Sequence, residues 1–404
     1  MRTVVKLFLA SCFIEYLCVG VIETYFTLTY LVVEGSPLLG FITAAMPFFG
    51  PVAVGPISGV FIGRIRAGRL WIFSGLMAIV LAGAASTTLQ AEALISILAL
   101  AVLSVFGYIS ALSRITLSKH CLEEEEVNLT HKYLVWVING CKLLAPLLAL
   151  PLLGAGTPML LGLVLCVAIG GLISAISMRY LCKGLTVESE QPSHLKPPKI
   201  FAQIGEGLRI IGEKPQFLAA VFAGGAVNLL EQAFILVTVY LLAVSSIRDF
   251  LPDDGITATP LLLGAAGAFL VKFATPAHNP RIAFLYITGT GSLLLLAICF
   301  LQAATVALIL LPFIGFLGAL TSVTVWDVRL RASTKQTIGT LSGLTGAFFK
   351  IPVLFLLPVM GYAIERGALI TGAVIIAAVS MVPLLLQALG LAMKSREGIV
   401  RPES

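Results

Sequence analysis

The chain has 404 residues, of which 58% are hydrophobic and 11% charged, with a formal net charge of +6. A soluble domain carries about 25% charged residues to cover its outside, so a soluble enzyme, a disordered regulator and a nucleic-acid binder are excluded together. The mean hydropathy of +1.03 comes from continuous apolar runs, not from the alternation of an outer-membrane barrel, and the runs have the length of a membrane-crossing helix.

The expected fold class is all-α, a polytopic membrane protein with twelve transmembrane helices. In chain order the spans are Leu7–Val33, Leu38–Ile62, Arg69–Leu89, Ala93–Ser113, Tyr133–Gly154, Pro158–Leu181, Gln216–Leu242, Ala258–Thr275, Ile282–Gln302, Ala304–Val325, Ile338–Tyr362 and Ala368–Met393. The one long polar interruption divides them six and six. The domains are therefore an N-terminal bundle (1–182), a linker (183–214) with Pro192, Pro197, Pro198 and an amphipathic stretch Ile200–Ile211, a C-terminal bundle (215–393) and a tail (394–404).

Basic residues set the orientation. Of 26 Lys and Arg, 22 fall on the side that holds both termini and two, Arg248 and Arg366, on the other. The positive-inside rule makes the first side cytoplasmic. The first span, which holds Glu15 and Glu23, is too long for a signal peptide and reads as an uncleaved anchor. The seven cysteines and four histidines give no disulfide framework and no metal-ligand spacing, and there is no Walker A sequence. No catalytic residue, metal or cofactor is expected.

The halves repeat at an offset of 207–208 residues. Ile22-Glu23-Thr24-Tyr25-Phe26 in span 1 matches Leu230-Glu231-Gln232-Ala233-Phe234 in span 7. Gly59 and Phe61 match Gly267 and Phe269. Lys142 before Pro151 and Gly154 matches Lys350 before Pro358 and Gly361. Six spans per half make this a parallel pseudo-two-fold repeat, related by an axis along the membrane normal.

With 6+6 spans, a central linker and this repeat, the chain resembles the major facilitator superfamily over nearly its whole length. The loop 2–3 signature of that family appears in degraded form as Gly59-x-x-x-Gly63-Arg64-Ile65-Arg66-Ala67-Gly68-Arg69, with Gly63 where the family has an Asp. Leu122–Asn128 and Gly205–Pro215 look like segments of its drug- and siderophore-efflux branch. The resemblance implies a monomer in the cytoplasmic (inner) membrane, with spans 1 and 7 lining a central cavity and spans 5 and 11 beside it.

Charges inside spans are costly and so are functional candidates. Glu23, Lys142, Glu231 and Lys350 form two repeat-related pairs at mid-depth, the expected substrate-binding set. Glu15 and Glu23 are the expected proton-coupling carboxylates. The competing reading has each Glu pair with a Lys to hold the bundles together. For Glu15 it is a bond to a neighbouring Ser or Tyr. Gly55, Gly59 and Gly63, like Gly339 and Gly343, form small-residue ridges for close packing or gating. Asp327, Arg329 and Arg331 read as a cytoplasmic charge network. Tyr16, Tyr25, Tyr30, Trp136 and Trp326 fit substrate contact or interface anchoring equally.

The function expected is secondary active transport by alternating access, coupled to protons, as an efflux antiporter. Ammonium groups in the cavity favour an anionic or zwitterionic solute, such as a siderophore or amphipathic metabolite, over a lipophilic cation. The alternatives are an importer of a carboxylate-bearing solute and a transporter-like sensor. The expected partners are that solute, protons and the lipid bilayer, with no nucleic acid.

Overall fold

The computed structural model describes residues 3–62, 70–77, 93–121, 200–245, 280–334 and 337–399, with scattered helical residues at 80, from 130 to 149, at 172 and from 259 to 267. The protein is an all-helical, multi-pass membrane protein. Seven described helices are long and apolar enough to cross a bilayer: Val5–Val33, Pro37–Ile62, Ala93–Arg114, Pro215–Val244, Ile282–Leu301, Ala304–Arg329 and Ile338–Glu365. They correspond to spans 1, 2, 4, 7, 9, 10 and 11. The helix of span 12 runs Leu369–Ile399. Most of spans 3 and 8, part of span 5, nearly all of span 6, Lys142 and the segment 63–69 lie outside the described residues.

These segments are helical because a bilayer offers no water to unpaired backbone groups, and a helix satisfies its own. Hydroxyl side chains follow the same logic. Thr29, Thr238, Thr321 and Thr345 each donate to the carbonyl four residues back, at 2.7–2.9 Å. Large apolar side chains such as Phe300 and Ile309 face outward, 74% and 72% exposed in the isolated chain. That outer belt is the surface that lipid covers.

Proline and glycine punctuate the helices. Span 2 starts with Ser36 as N-cap and Pro37 in the first turn, the position where the missing N–H costs nothing. Pro47 sits in a 3₁₀ turn, Met46–Phe48, that interrupts span 2. Span 1 ends in a π turn, Thr29–Val33. Span 11 ends in a Schellman motif. Ala368 N–H donates to the Ala363 carbonyl at 2.8 Å and Gly367 N–H to Ile364 at 2.9 Å, with Gly367 at φ +70°, a conformation only glycine adopts cheaply.

The two halves meet along spans 2 and 11. The contacts run in opposite number order: Gly361 beside Pro37 and Phe41, Gly343 against the Gly55 carbonyl, Gly339 against Gly59. The helices are therefore antiparallel, and their seam extends over some 22 residues, about 33 Å of helix. A Cβ at Gly59 or Gly343 would strike the other helix's backbone. This is the close approach expected of the small-residue ridges.

Parallel contacts tie the odd spans within each half. Cys141 in span 5 donates to the Phe13 carbonyl in span 1 across 128 residues. In the other half, Lys350 in span 11 donates to Asn228 in span 7 across 122 residues. The similar separations agree with the repeat. Gly59 and Gly267 pair in sequence but not in role: Gly59 abuts span 11 of the opposite half, while Gly267 abuts Pro312 of its own half.

The largest apolar cluster belongs mainly to spans 7, 9, 10, 11 and 12, and takes in Leu31, Phe41 and Ala45 from the first half. It closes the end of the molecule away from the N-terminus. At the other end the amphipathic helix Ile200–Glu213 lays Gly207 on Leu344 and Thr340 of span 11, and buries Ile211 with Phe217, Leu341 and Leu344.

Candidate functional site

Spans 7, 10 and 11 enclose a cavity of about 170 Å³. Its wall includes Asn228 and Glu231 from span 7, Thr321, Trp326 and Arg329 from span 10, and Lys350 from span 11. Two of the four residues expected to bind substrate, Glu231 and Lys350, thus share one chamber.

Helical spacing explains the arrangement. Asn228 and Glu231 are three residues apart, and Thr321, Val325 and Arg329 are four apart, so each set lies on one face. Room for the Glu231 carboxylate comes from span 10: a Cβ at Gly318 would lie 2.5 Å from its Oε2. Lys350 donates to Asn228 Oδ1 at 3.1 Å and its ammonium lies 4.6 Å from the centroid of Phe48. Phe48 comes from span 2, in the other half. Lys350 also acts electrostatically on Glu23 of span 1. The chamber walls belong to the second half, and the first half brings the Phe48 ring against Lys350.

Arg329 departs from expectation. Of the expected charge network only Asp327 and Arg331 pair, at 3.0 Å, with the arginine exposed. Arg329 is 5% exposed and lines the chamber. Its guanidinium carbon lies 3.7 Å from the centroid of Trp326, and Nη1 donates to Thr345 Oγ1 at 3.0 Å. The span 10 helix runs unbroken to Ala332, past the Val325 boundary, and this carries Arg329 inward. Its spacing of eight and four residues from Thr321 and Val325 was the available signal.

A second cationic group was likewise missed. Arg114, placed in a loop by the sequence boundary at Ser113, lies on a helix that continues to Cys121. It forms a direct ion pair with Glu15, the two side chains being 3% and 16% exposed, and its guanidinium lies 5.0 Å over Tyr16. Glu15 is therefore held by an arginine of span 4, not by a Ser or Tyr.

Tyr108 of span 4 links the halves. Its hydroxyl donates to the Ser342 carbonyl at 3.2 Å, and lies against Gly346. Tyr25 and Tyr30 are buried in an apolar cluster of the first half. Lys142, Gly63, Arg64, Gly68 and Arg69 fall outside the described residues. Among the described residues, no group of three or more metal-binding side chains occurs.

No protein-family model matches the chain, and no curated protein is similar to it at a significant level. Solved structures are. A POT family transporter in complex with 5-aminolevulinic acid matches with a TM-score of 0.64 at 11% identity, covering 95% of this chain and 96% of the other. A bacterial homologue of the iron transporter ferroportin, in its outward-facing state, matches with a TM-score of 0.63 at 15% identity, over 96% and 100%. A POT family transporter with a thioalcohol-conjugated peptide matches with a TM-score of 0.62 at 12% identity. At these identities the likeness concerns the fold, and the chain has the fold that these membrane transporters share.

Proposed function

We propose that this protein is a secondary active transporter that works by alternating access and moves an anionic or zwitterionic small molecule. The observation that carries the reading is one chamber holding Glu231, Lys350 and Arg329. Charges are buried at membrane depth only where function or pairing repays them. A substrate carboxylate that takes over Lys350 releases a protein carboxylate, which then binds a proton. Substrate charge and proton movement are connected by that exchange alone. The structural neighbour crystallised with 5-aminolevulinic acid, an amino carboxylic acid, lends support by analogy of fold.

Glu23 and, once released from its pair with Arg114, Glu15 are the proton-binding candidates, and Lys142 is the repeat partner of Lys350. Export from the cytoplasm across the inner membrane, by a monomer with cytoplasmic termini, follows from the sequence resemblance and from the distribution of basic residues. Seals at both ends of the described bundle fit a cycle in which the spans 2–11 seam opens on one side at a time. The test is flux in proteoliposomes with the proton gradient imposed in each direction. Gradient-driven movement of a carboxylate-bearing solute supports the reading, and its direction separates exporter from importer. No gradient-dependent flux across a panel of carboxylate-bearing solutes would favour a sensor.

A further inference from the structure

The exchange between lysines and carboxylates leaves one cationic group in the chamber without a task. Arg329 is almost fully buried, and its Nε has no hydrogen-bond partner among the described residues. A buried N–H of a charged group without an acceptor is costly, and native structures rarely leave one so. The rest of the guanidinium is fixed in place. The Trp326 ring lies beneath it, its centroid 3.7 Å from the guanidinium carbon. Thr345 accepts from Nη1, while its own proton is committed to the Leu341 carbonyl at 2.7 Å. Asp327, the nearest acidic residue in sequence, is held by Arg331. Nε and Nη2 share one edge of the guanidinium, Arg329 is part of the chamber wall, and Nε is the donor on that edge with no acceptor among the described residues.

We propose that Arg329 docks the carboxylate of the transported molecule, gripping it along the Nε edge in the plane set by Trp326 and Thr345. The inference rests on the chamber being the substrate site, as proposed above. A planar fork matches a planar carboxylate through two parallel N–H···O bonds, a geometry no ammonium reproduces. A doubly charged phosphate fits less well, because the Glu231 carboxylate stands in the same wall. At about 170 Å³ the space suits a small monocarboxylate or its amino derivative.

The test uses the purified full chain in detergent, with butanoate, 4-aminobutanoate, butanamide and butylamine as probes. Tryptophan fluorescence of the wild type, minus that of Trp326→Phe, isolates the signal of the stacked ring. Butanoate and 4-aminobutanoate should give saturable changes and butanamide none. Arg329→Lys keeps the charge but loses the fork, and should weaken butanoate binding by about ten-fold or more, as Arg329→Gln does. Thr345→Val leaves the charge in place and loosens only its orientation. It should weaken binding by roughly five-fold at unchanged melting temperature, so the inference stays testable if the Arg329 variants fail to fold. Wild-type affinity in Arg329→Lys or in Thr345→Val, butanamide binding as tightly as butanoate, or no saturable signal with either carboxylate would overturn the proposal. Binding as described in a chain that moves no solute would overturn the transporter reading and leave this one standing. Transport that persists while Arg329→Lys keeps full affinity would overturn this one alone.

Discussion

Removing Arg114 should damage the protein far more than removing Arg114 and Glu15 together. The two form a direct ion pair with side chains 3% and 16% exposed, and the guanidinium also covers Tyr16. Arg114→Met leaves a carboxylate at depth with no cation, and such an uncompensated charge costs about 3–5 kcal/mol. Glu15→Met leaves the guanidinium, whose contact with the Tyr16 ring offsets only about 1–2 kcal/mol, so its cost falls in the lower part of that range. The double replacement by Met removes both charges and keeps most of the volume, so it should lie within about 1 kcal/mol of the wild type. The double-mutant cycle then gives a coupling of roughly 5 kcal/mol or more, since two singles of about 3 kcal/mol or more are set against a double within about 1 kcal/mol. The assay is reversible unfolding of the four proteins in mixed micelles, read by circular dichroism at fixed detergent composition. Additive effects, or single variants that each cost under about 1 kcal/mol, would refute the idea that this pair is a closed, buried interaction.

Gly343→Val pushes a side chain into the Gly55 backbone. It should destabilise the chain by about 1–3 kcal/mol and abolish transport, whereas unchanged melting and flux would mean the seam is looser than described. Gly318→Ala would displace the Glu231 carboxylate and should raise the apparent Kd for an aminocarboxylate more than for the plain carboxylate, by about three-fold or more; equal shifts would contradict a role for Glu231 in reading an amine. Lys350→Met should lower affinity for an anionic solute, with Lys350→Arg restoring part of it, and Lys142→Met should behave alike if the repeat extends to function. Unchanged affinity in both Met variants would make the lysines structural.

The seven described crossings, the antiparallel run of spans 2 and 11 and the shared chamber of Glu231 and Lys350 were legible in the sequence, because the bilayer imposes a length and a polarity rule on every crossing. The small-residue ridges were legible too, though sequence could not say that Gly55 and Gly59 would meet Gly343 and Gly339 across the halves. Arg114 and Arg329 were not legible. Each stands just past the last apolar residue of its span, where hydropathy places a boundary. The helices in fact run on to Cys121 and Ala332, and Arg114 and Arg329 are themselves buried. Hydropathy reads where the lipid ends, and it does not see that a cation there is enclosed by protein. The partner of Glu15 was missed for the same reason.

The central claim is coupled movement of a carboxylate-bearing solute, and the most direct measurement is radiolabelled 4-aminobutanoate or butanoate flux in proteoliposomes under an imposed proton gradient. The account predicts gradient-dependent accumulation that Glu15→Gln or Glu23→Gln abolishes while exchange between internal and external pools persists. Flux of a carboxylate that ignores the gradient, or accumulation unchanged in both Gln variants, would contradict it.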